Sequence, residues 1–389
     1  MIPSSLHTFM AASGTSSVLV ASPGRVNLIG EHTDYNAGFV LPGAIDQRIY
    51  IGLVKNETSE IRVYSSQFGE TSSFDLSESL PRKGWINYLI GLVYYLQQAG
   101  GVIAGMEVYI DGDLPAGAGL SSSAALCCGF GVAVNELFDL QFSREELAKI
   151  SQRTEHEFAG VKCGLMDQYA ILFGKAGYVL QLDCRDFSKE YVPFDFPDYQ
   201  LVLVNTRVSH SLANTEYNVR RQQCEEGVQV LKKYYPDISS LRDVTYEQLI
   251  RHWKTLDPVV FDRCSYVVNE NQRLLAGCEA LRRGDLAGFG EMMYASHKGL
   301  SKRYAVSCAE LNFLVEQAKN IPGVMGARMM GGGFGGCTLN IVHREQLKFF
   351  QDQLAQRYTL QFGQSPEFYS TTLQDGVQVV NFTPQQIRS

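Results

Sequence analysis

The chain has 389 residues, 45% of them hydrophobic, and is therefore long enough to bury a large core. Length alone predicts two or three domains. The formal net charge is −7 and the sequence pI is about 5.6, which argues against nucleic acid or an anionic membrane surface as a partner.

The distribution of basic residues and cysteines indicates the cellular compartment in which we expect the protein. No lysine or arginine precedes Arg25, so the basic start of a secretory signal is missing, and the apolar runs are too short to span a membrane. The nine cysteines are odd in number and include the adjacent pair Cys127 and Cys128, which fits neither a disulfide framework nor a CxxC pair. The seven histidines show no zinc-ligand spacing. We therefore expect a reduced, soluble, cytoplasmic protein with no membrane partner.

The first half of the chain mixes strand and helix patterns. Residues 1–16 are small and polar, and we expect a loose arm or short lead-in there. Short apolar or alternating runs predict strands at 18–21, 39–41, 49–54, 61–64, 106–110 and 177–183. Apolar spacing predicts helices over 85–98 and from the serine-rich stretch to about residue 140, and a capping box predicts a helix after Ser143.

The second half of the chain has a different pattern of predicted elements. Residues 201–204 predict a strand, helices of mixed charge are expected from about 214 to 320, and two strand-like runs follow at 324–329 and 339–342. We place the domain boundary so that the domains are residues 1–187 and 188–389. Neither half has a regular βαβ rhythm, which predicts an α+β fold rather than a doubly wound sheet.

One stretch, from Gly24 to Asn36, combines unusually many different polar groups. It reads GRVNLIGEHTDYN, with a guanidinium, two carboxylates, an imidazole, a phenol and two amides. A core strand cannot bury such groups unpaired. A ligand with many hydroxyls needs this mixture, because each hydroxyl both donates and accepts hydrogen bonds. The alternative is a polar loop between strands, but the density of unlike groups favours a sugar-binding site.

A glycine–serine loop, LPAGAGLSSSAA from Leu114 to Ala125, lies between a predicted strand and a predicted helix. Glycines allow the backbone to approach a ligand, and the start of the helix attracts phosphate. The Gly-Lys-Ser/Thr of a Walker A loop is absent, so phosphate would be held without that lysine. The alternative is an ordinary loop with serine helix caps.

Two carboxylates and a glycine cluster complete the candidates. Glu155 has the pattern of a solvated residue on a helix face, and Asp167 that of a helix N-terminal acid, a role that is compatible with a catalytic one. The run GGGFGG from Gly331 to Gly336 joins two strand-like runs. A tight turn is possible there, but five glycines favour a close approach of this backbone to another loop or to a ligand.

Taken together, these segments resemble the galactokinase family of the GHMP small-molecule kinases over nearly the whole chain. Residues 24–36 resemble the galactokinase signature, 115–125 the phosphate loop and 331–338 the third motif, with Met330 where the family often has threonine. The resemblance implies a two-domain α+β fold with the active site in the cleft between the domains. It also implies ATP-dependent phosphorylation of the C1 hydroxyl of α-D-galactose, the first committed step of galactose catabolism.

The resemblance implies a role for each matching residue. Asp167 and Arg25 would be catalytic, and Ser123 and Glu155 would bind Mg²⁺. Sugar hydroxyls would be bound by Glu31, His32, Asp34, Gly164 and Tyr217. ATP would be bound by Ser65, Ser66, Trp85, Gly117, Ala118, Gly119, Leu120, Ser121, Ser122 and Ser123. Trp85 has an alternative role as a core aromatic of its helix. A monomer with galactose and ATP as its partners is expected.

Two other functions fit the same pattern. A related sugar-1-kinase would act on N-acetylgalactosamine, arabinose or galacturonate, and the sequence does not give the pocket volume beside C2. A non-catalytic galactose sensor would resemble the enzyme with a damaged phosphate loop. The unbroken run from Ser121 to Ala125 favours the enzyme.

Overall fold

The computed structural model describes residues 2–11, 17–66, 69–208 and 213–381. Within those residues the strands are β1 (Ser17–Asn27), β2 (Phe39–Val40), β3 (Pro42–Lys55), β4 (Glu60–Ser65), β5 (Glu70–Asp75), β6 (Met106–Gly112), β7 (Tyr178–Asp183), β8 (Lys189–Pro193), β9 (Tyr199–Asn205), β10 (Val324–Met329), β11 (Cys337–His343), β12 (Glu367–Thr371) and β13 (Gln378–Val379). The α-helices are α1 (Ser4–Ala11), α2 (Asn87–Gln98), α3 (Ser122–Phe138), α4 (Arg144–Glu157), α5 (Met166–Phe173), α6 (Ala213–Lys232), α7 (Tyr246–Arg251), α8 (Pro258–Arg282), α9 (Leu286–Gly299), α10 (Ala309–Lys319) and α11 (Leu347–Phe362).

The chain divides into two compact units that are discontinuous in sequence. The first unit consists of Met1–Arg25, Ala44–Ala176 and Gln374–Ser389, and the second of Val26–Gly43 and Gly177–Leu373. The domain boundary between residues 187 and 188 stays a prediction. The chain passes from one compact unit to the other after residues 25, 43, 176 and 373.

The first unit contains a sheet whose described strands run in the order β13-β1-β3-β6-β4-β5. The β4–β6 pair is parallel, while β3–β6 and β4–β5 are antiparallel. Helices α2, α3, α4 and α5 pack against one another. The predicted capping box opens α4, because the Ser143 hydroxyl accepts from the backbone N–H of Glu146 while the Glu146 carboxylate accepts from the N–H of Ser143.

The second unit contains two described sheets and the longer helices. One sheet has the antiparallel order β10-β11-β9-β12 and the other the order β2-β7-β8. The helix α8 begins where Asp257 caps the N–H groups of Val259 and Val260 and Pro258 takes the first helical position. Many of its residues are buried, so α8 is a core helix of this unit.

The α+β class is confirmed, as are the strand predictions, each of which falls on an observed strand. The helix expected over 85–98 begins at Asn87, so Trp85 precedes it. The expectation of a loose N-terminal arm is wrong for residues 4–11, which form α1; Met1 and residues 12–16 lie outside the described residues. Among the described residues, no helix combines the length and the apolar character needed to cross a bilayer.

Helix α1 forms because its two buried side chains reach apolar partners. Leu6 and Met10, one helical turn apart, pack with Leu19 of β1. Gly52 of β3 allows this approach, since a Cβ there would lie 2.9 Å from a methyl carbon of Leu6. Phe9 of the same helix also packs against this cluster, with its ring centroid 5.3 Å from that of Tyr109.

We expect Leu6→Ala to destabilise the protein by about 2–5 kcal/mol, because it leaves a cavity at a side chain that is 0% exposed. The shift of the urea unfolding midpoint measures the effect. Leu80→Ala is the matched control, since Leu80 is 73% exposed and its truncation leaves the midpoint nearly unchanged. Equal midpoints for the two variants would mean that α1 does not dock in solution.

Candidate active site

The glycine–serine loop lies in the first unit between β6 and α3. Gly117 and Gly119 adopt positive φ angles of 75° and 77°, and a Cβ at either position would meet open space. Ser121 is also left-handed, with φ 59°, and α3 begins at Ser122 without a side-chain cap from Ser121. The first turn of a 17-residue helix therefore presents backbone N–H groups that require acceptors. This geometry suits an anion, and phosphate in particular.

Arg25 and Asp167 form a two-pronged ion pair beside this loop. The Arg25 Nε donates to Asp167 Oδ1 at 2.8 Å and its Nη2 to Oδ2 at 3.1 Å. The third nitrogen, Nη1, donates to the carbonyl oxygen of Gly119 at 2.6 Å, and the Ser121 hydroxyl donates to Asp167 Oδ2. The Arg25 side chain is 7% exposed and that of Asp167 is 23% exposed. The structure thus brings both predicted catalytic residues to the phosphate loop, with the carboxylate partly accessible.

Glu155 is buried rather than solvated, so the solvated-helix alternative is wrong. Its Oε1 accepts from Gln168 at 2.7 Å, and its Oε2 lies 3.4 Å from the donor hydroxyl of Ser123. Burial and then the negative charge of Asp167 raise the pKa of Glu155 to about 8. A buried carboxylate beside a second carboxylate and a hydroxyl is an all-oxygen donor set in need of positive charge, which fits Mg²⁺.

A cavity of about 160 Å³ adjoins the start of α3. Its lining includes Ser65, Trp85, Tyr88, Ser122 and Ser123, together with apolar side chains. The Ser65 hydroxyl is buried without a hydrogen-bond partner, and the indole Nε1 of Trp85 donates to Glu70 at 3.0 Å. The cavity is therefore apolar with one polar group still to be satisfied, as a flat heterocycle would require.

Ser66, which is also predicted to bind ATP, forms its hydrogen bonds away from this cavity. Its N–H and its hydroxyl both donate to the carbonyl oxygen of Ile110, at 2.9 and 3.3 Å. Ser66 does not contribute to the lining of the cavity. Trp85 is half-buried in the segment before α2, so its alternative role as a core aromatic of that helix does not match its position.

In the second unit, Glu31 is held by three partners. Its Oε1 accepts from the N–H of Gly331 at 2.8 Å, while its Oε2 accepts from the Asn27 amide and pairs with Arg328 Nη2 at 3.1 Å. Glu31 is 2% exposed and Arg328 is fully buried. Such a buried ion pair requires hydrogen bonds at its remaining atoms, and Arg328 Nη1 donates to the Asn27 carbonyl.

The His32 ring has defined hydrogen-bonding roles. Its Nε2 lies 3.2 Å from the Gly332 carbonyl oxygen, which can only accept, so the ring proton is on Nε2. Its Nδ1 therefore accepts from the Tyr35 hydroxyl at 2.7 Å, and that hydroxyl accepts from Tyr304 at 2.8 Å. The Tyr217 ring centroid lies 5.3 Å from that of His32. His32 is thus both hydrogen-bonded and packed among tyrosines.

The remaining predicted sugar-binding residues fall in both units. Asp34 is half-buried and begins a short 3-10 helix, Asp34–Asn36, in the second unit, which also contains Tyr217. Gly164 belongs to the first unit and lies in the turn before α5, three residues ahead of Asp167. Each unit therefore contains some of the residues that are predicted to bind the sugar.

The glycine cluster between β10 and β11 allows close backbone approach, as the sequence predicts. Gly333 has φ 88°, and a Cβ there would lie 2.1 Å from the carbonyl oxygen of Val306. The next residue, Phe334, donates its N–H to that same oxygen at 2.7 Å. Just before the cluster, the sulfur of Met330 accepts from the N–H of Asn27 at 3.5 Å, a weak contact where a hydroxyl would accept more strongly.

Three residues that contact the candidate sites are given no role by the sequence analysis: Arg328, Tyr88 and Tyr304. Arg328 is a lone charge within the otherwise uncharged strand β10, and that pattern is a usable signal for a buried ion pair. Tyr88 and Tyr304 carry no comparable signal, because tyrosines at helical spacing are typical of any half-buried helix.

We expect the His32 environment to affect acid stability. Burial lowers the pKa of His32 from 6.5 to about 3, and the positive charges of Arg220 and Arg328 act in the same direction. Between pH 6.5 and 3 the unfolded chain therefore binds a proton that the folded chain does not, and folding stability falls as pH falls by up to about 1.4 kcal/mol per pH unit.

His32→Gln removes this contribution, because the glutamine amide does not titrate. The loss of stability between pH 6.5 and 3, measured from urea unfolding midpoints, is expected to be smaller than in the wild type. The wild type, unfolded in parallel at each pH, is the control. A His32→Gln slope equal to that of the control would contradict the expectation.

Comparison with known proteins agrees with this geometry. The galactokinase galactose-binding signature matches residues 7–54, the GHMP kinases N terminal domain matches 87–175, and the GHMP kinases C terminal domain matches 279–360. The galactokinase of Roseiflexus sp. (strain RS-1) is 40% identical over 372 residues, 95% of each chain. That of Chloroflexus aurantiacus is 41% identical over 364 residues, 93% of each chain.

Among solved structures, Lactococcus lactis galactokinase complexed with galactose superposes with a TM-score of 0.92 at 35% identity, covering 98% of this chain and 100% of that chain. A mevalonate kinase superposes with a TM-score of 0.66 at 18% identity and therefore shares the fold. The identity to galactokinases extends over nearly the whole chain and includes both the signature and the GHMP domains. The chain belongs to the galactokinase family of the GHMP kinases.

Proposed function

We propose that the protein is an enzyme that transfers the terminal phosphoryl group of ATP to the C1 hydroxyl of α-D-galactose, giving galactose 1-phosphate and ADP. This is the first committed step of galactose catabolism. The observation that carries the proposal is the pairing of Arg25 with Asp167 directly beside Gly119 and Ser121 of the phosphate loop. A sugar-activating carboxylate and a phosphate-binding loop are thereby part of one hydrogen-bonded cluster.

The phosphate loop contributes positioning and charge neutralisation. Residues Gly117 to Ser123 would bind the phosphates through backbone N–H groups and the positive end of α3. The transition state of phosphoryl transfer is loose, so holding the groups in line and meeting the charge on the oxygens provide most of the rate enhancement. The cavity that contains Ser65 and Trp85 would take the adenine ring, and Ser66, the residue after β4, would support it.

Asp167 would orient the C1 hydroxyl and accept its proton late in the reaction. Both of its oxygens already accept hydrogen bonds from Arg25, and one also accepts from Ser121. A carboxylate held by these hydrogen bonds is a well-fixed positioning group. Late proton transfer is compatible with a dissociative path, in which the hydroxyl gains acidity only as its bond to phosphorus forms.

The sugar would be bound by Glu31, His32, Asp34, Gly164 and Tyr217. The carboxylates of Glu31 and Asp34 accept hydrogen bonds from hydroxyls, and the Tyr217 ring offers an apolar face. His32 already uses both ring nitrogens on Tyr35 and Gly332, so its contribution would come from the backbone and from the shape of the site.

Ser123 and Glu155 would hold Mg²⁺. The Glu155 carboxylate is buried beside another carboxylate, and a divalent cation would offset both the burial and the repulsion. The ion would supply positive charge to the phosphate oxygens of ATP. Ser123 is placed at the start of α3, within hydrogen-bonding distance of Glu155.

Two properties of the working enzyme are also proposed. The protein would act as a monomer in the cytoplasm, with galactose and ATP as its partners. The acidic net charge of −7 supports the lack of a nucleic-acid or membrane partner. Buried thiols such as Cys127 and Cys128 support a reducing compartment.

The central test is ADP release coupled to galactose or glucose, which differ only at C4. We expect galactose to be turned over and glucose to be disfavoured by about a hundredfold or more in kcat/KM, because a site paired to one hydroxyl configuration leaves polar groups unsatisfied with its epimer. Assays with N-acetylgalactosamine, arabinose and galacturonate distinguish the related sugar kinases. Galactose binding without ADP release in the presence of Mg²⁺ would indicate a sensor instead.

Asp167→Asn is expected to reduce kcat by about three to four orders of magnitude, because the amide cannot accept the proton. Galactose binding should stay measurable by calorimetry, since the side chain keeps its shape. Asp139→Asn is the matched control: Asp139 is exposed at the end of α3 with φ 53°, which asparagine tolerates well. Wild-type turnover in Asp167→Asn would remove Asp167 from the mechanism.

A further inference from the structure

The segment from Gly30 to Phe39, called here the sugar loop, is held by side chains of helix α8. The Gly30 N–H donates to Glu270 Oε1 at 3.1 Å, and the Tyr266 hydroxyl donates to the Glu31 carbonyl oxygen at 3.0 Å. At the far end, the Phe39 N–H donates to Asn271 Oδ1 at 2.9 Å. The beginning and the end of the loop therefore depend on groups more than two hundred residues away in sequence.

These three side chains lie on the part of a buried helix that contacts the sugar loop. Positions 266 and 270 are one helical turn apart and position 271 follows on the adjoining side, so together they span about 140° of the circumference of α8. Glu270 is 0% exposed, and Tyr266 and Asn271 are also buried. None of the three is placed to touch solvent, so their hydrogen bonds to the loop do not compete with water.

The two anchors that accept hydrogen bonds, Glu270 and Asn271, are themselves fixed. Glu270 accepts from the Ser296 hydroxyl and pairs with Arg273 on the same helix. The Asn271 amide nitrogen donates to the Val267 carbonyl at 3.1 Å, which sets its oxygen toward Phe39. The acceptors are thus oriented by contacts that do not involve the sugar loop.

Two glycines allow the helix to come this close. Gly30 has φ 94°, and a Cβ there would lie 2.6 Å from a methyl carbon of Leu274, one turn after Glu270. A Cβ on Gly38 would lie 2.5 Å from Asn271 Oδ1. Glycine at both ends of the loop therefore leaves room for the side chains of α8.

The buried ion pair between Glu270 and Arg273 does not by itself indicate a stabilising role, because proteins in which such a pair is replaced by apolar residues often fold as well. The unusual feature is that Glu270 and its two neighbours all bond the backbone of one loop. We propose that Tyr266, Glu270 and Asn271 are positioning residues that fix the sugar loop in its binding conformation before galactose arrives. Binding then avoids the entropy loss of ordering the loop. The inference rests on the proposed function for its ligand.

Tyr266→Phe tests the inference with the loss of a single hydroxyl. We expect the galactose Kd, measured by calorimetry without ATP, to rise about fivefold, the scale of one hydrogen bond, while the KM for ATP stays unchanged. Amide hydrogen exchange across residues 31–39 should be faster in the sugar-free variant than in the wild type. A merely structural role would change the global unfolding midpoint without this local pattern.

Tyr358→Phe is the matched control. Tyr358 is also buried in the second unit, and its hydroxyl donates to the Thr206 carbonyl at 2.9 Å, so the control loses the same kind of bond away from the loop. We expect wild-type exchange over 31–39 and wild-type galactose affinity. Equal behaviour of the two variants in both measurements would overturn the inference.

A second pair of variants covers the case in which Tyr266→Phe folds poorly. Asn271→Asp keeps an acceptor for the Phe39 N–H, whereas Asn271→Leu removes it, so exchange at Phe39 should be faster in Asn271→Leu alone. Exchange is measured without sugar and therefore tests the loop even if the wild type fails to phosphorylate galactose. Equal exchange at Phe39 in both variants would also refute the role of Asn271.

Discussion

The two-pronged bond between Arg25 and Asp167 is the interaction on which the proposed reaction centre depends. It joins the end of the first unit's opening segment to the start of α5, and through Gly119 and Ser121 it includes the glycine–serine loop. A guanidinium is suited to this position because its fork matches a carboxylate in two places and still leaves a nitrogen for a carbonyl. The orientation of the carboxylate is thus determined by the same cation that supplies positive charge.

Buried charge is used repeatedly, and each instance has assigned partners. Arg328 meets Glu31 beneath the sugar loop, and Glu270 meets Arg273 on the helix that holds the loop. Glu155 differs, because burial and the negative charge of Asp167 both raise its pKa and its hydrogen bonds come from the uncharged Gln168 and Ser123. The carboxylates of Glu31 and Glu270 each pair with an arginine, whereas Glu155 is the carboxylate proposed to hold Mg²⁺.

The sequence predicted the elements and motifs well, since strands, capping boxes and glycine-rich loops are encoded by neighbouring residues. It identified Arg25 and Asp167 only through family resemblance, because their contact joins positions 142 residues apart. Helix α1 was missed because small polar residues around Leu6 resemble a disordered lead-in. The burial of Glu155 was equally hidden, since a glutamate on an amphipathic helix is usually solvated. Short sequence patterns therefore predict the secondary structure, whereas contacts between residues distant in sequence determine which side chains meet in the candidate site.

The discontinuity of the compact units has a consequence for biosynthesis. Strand β1 is synthesised before its neighbour β13, which places Val379 opposite Val20, so this edge of the sheet stays open until residue 379 has been made. Contacts of such high sequence separation are slow to form, and an exposed strand edge invites association with other nascent chains. Because Gly177–Leu373 of the second unit lies between the segments of the first, the first unit is expected to complete its sheet only after those residues have been synthesised.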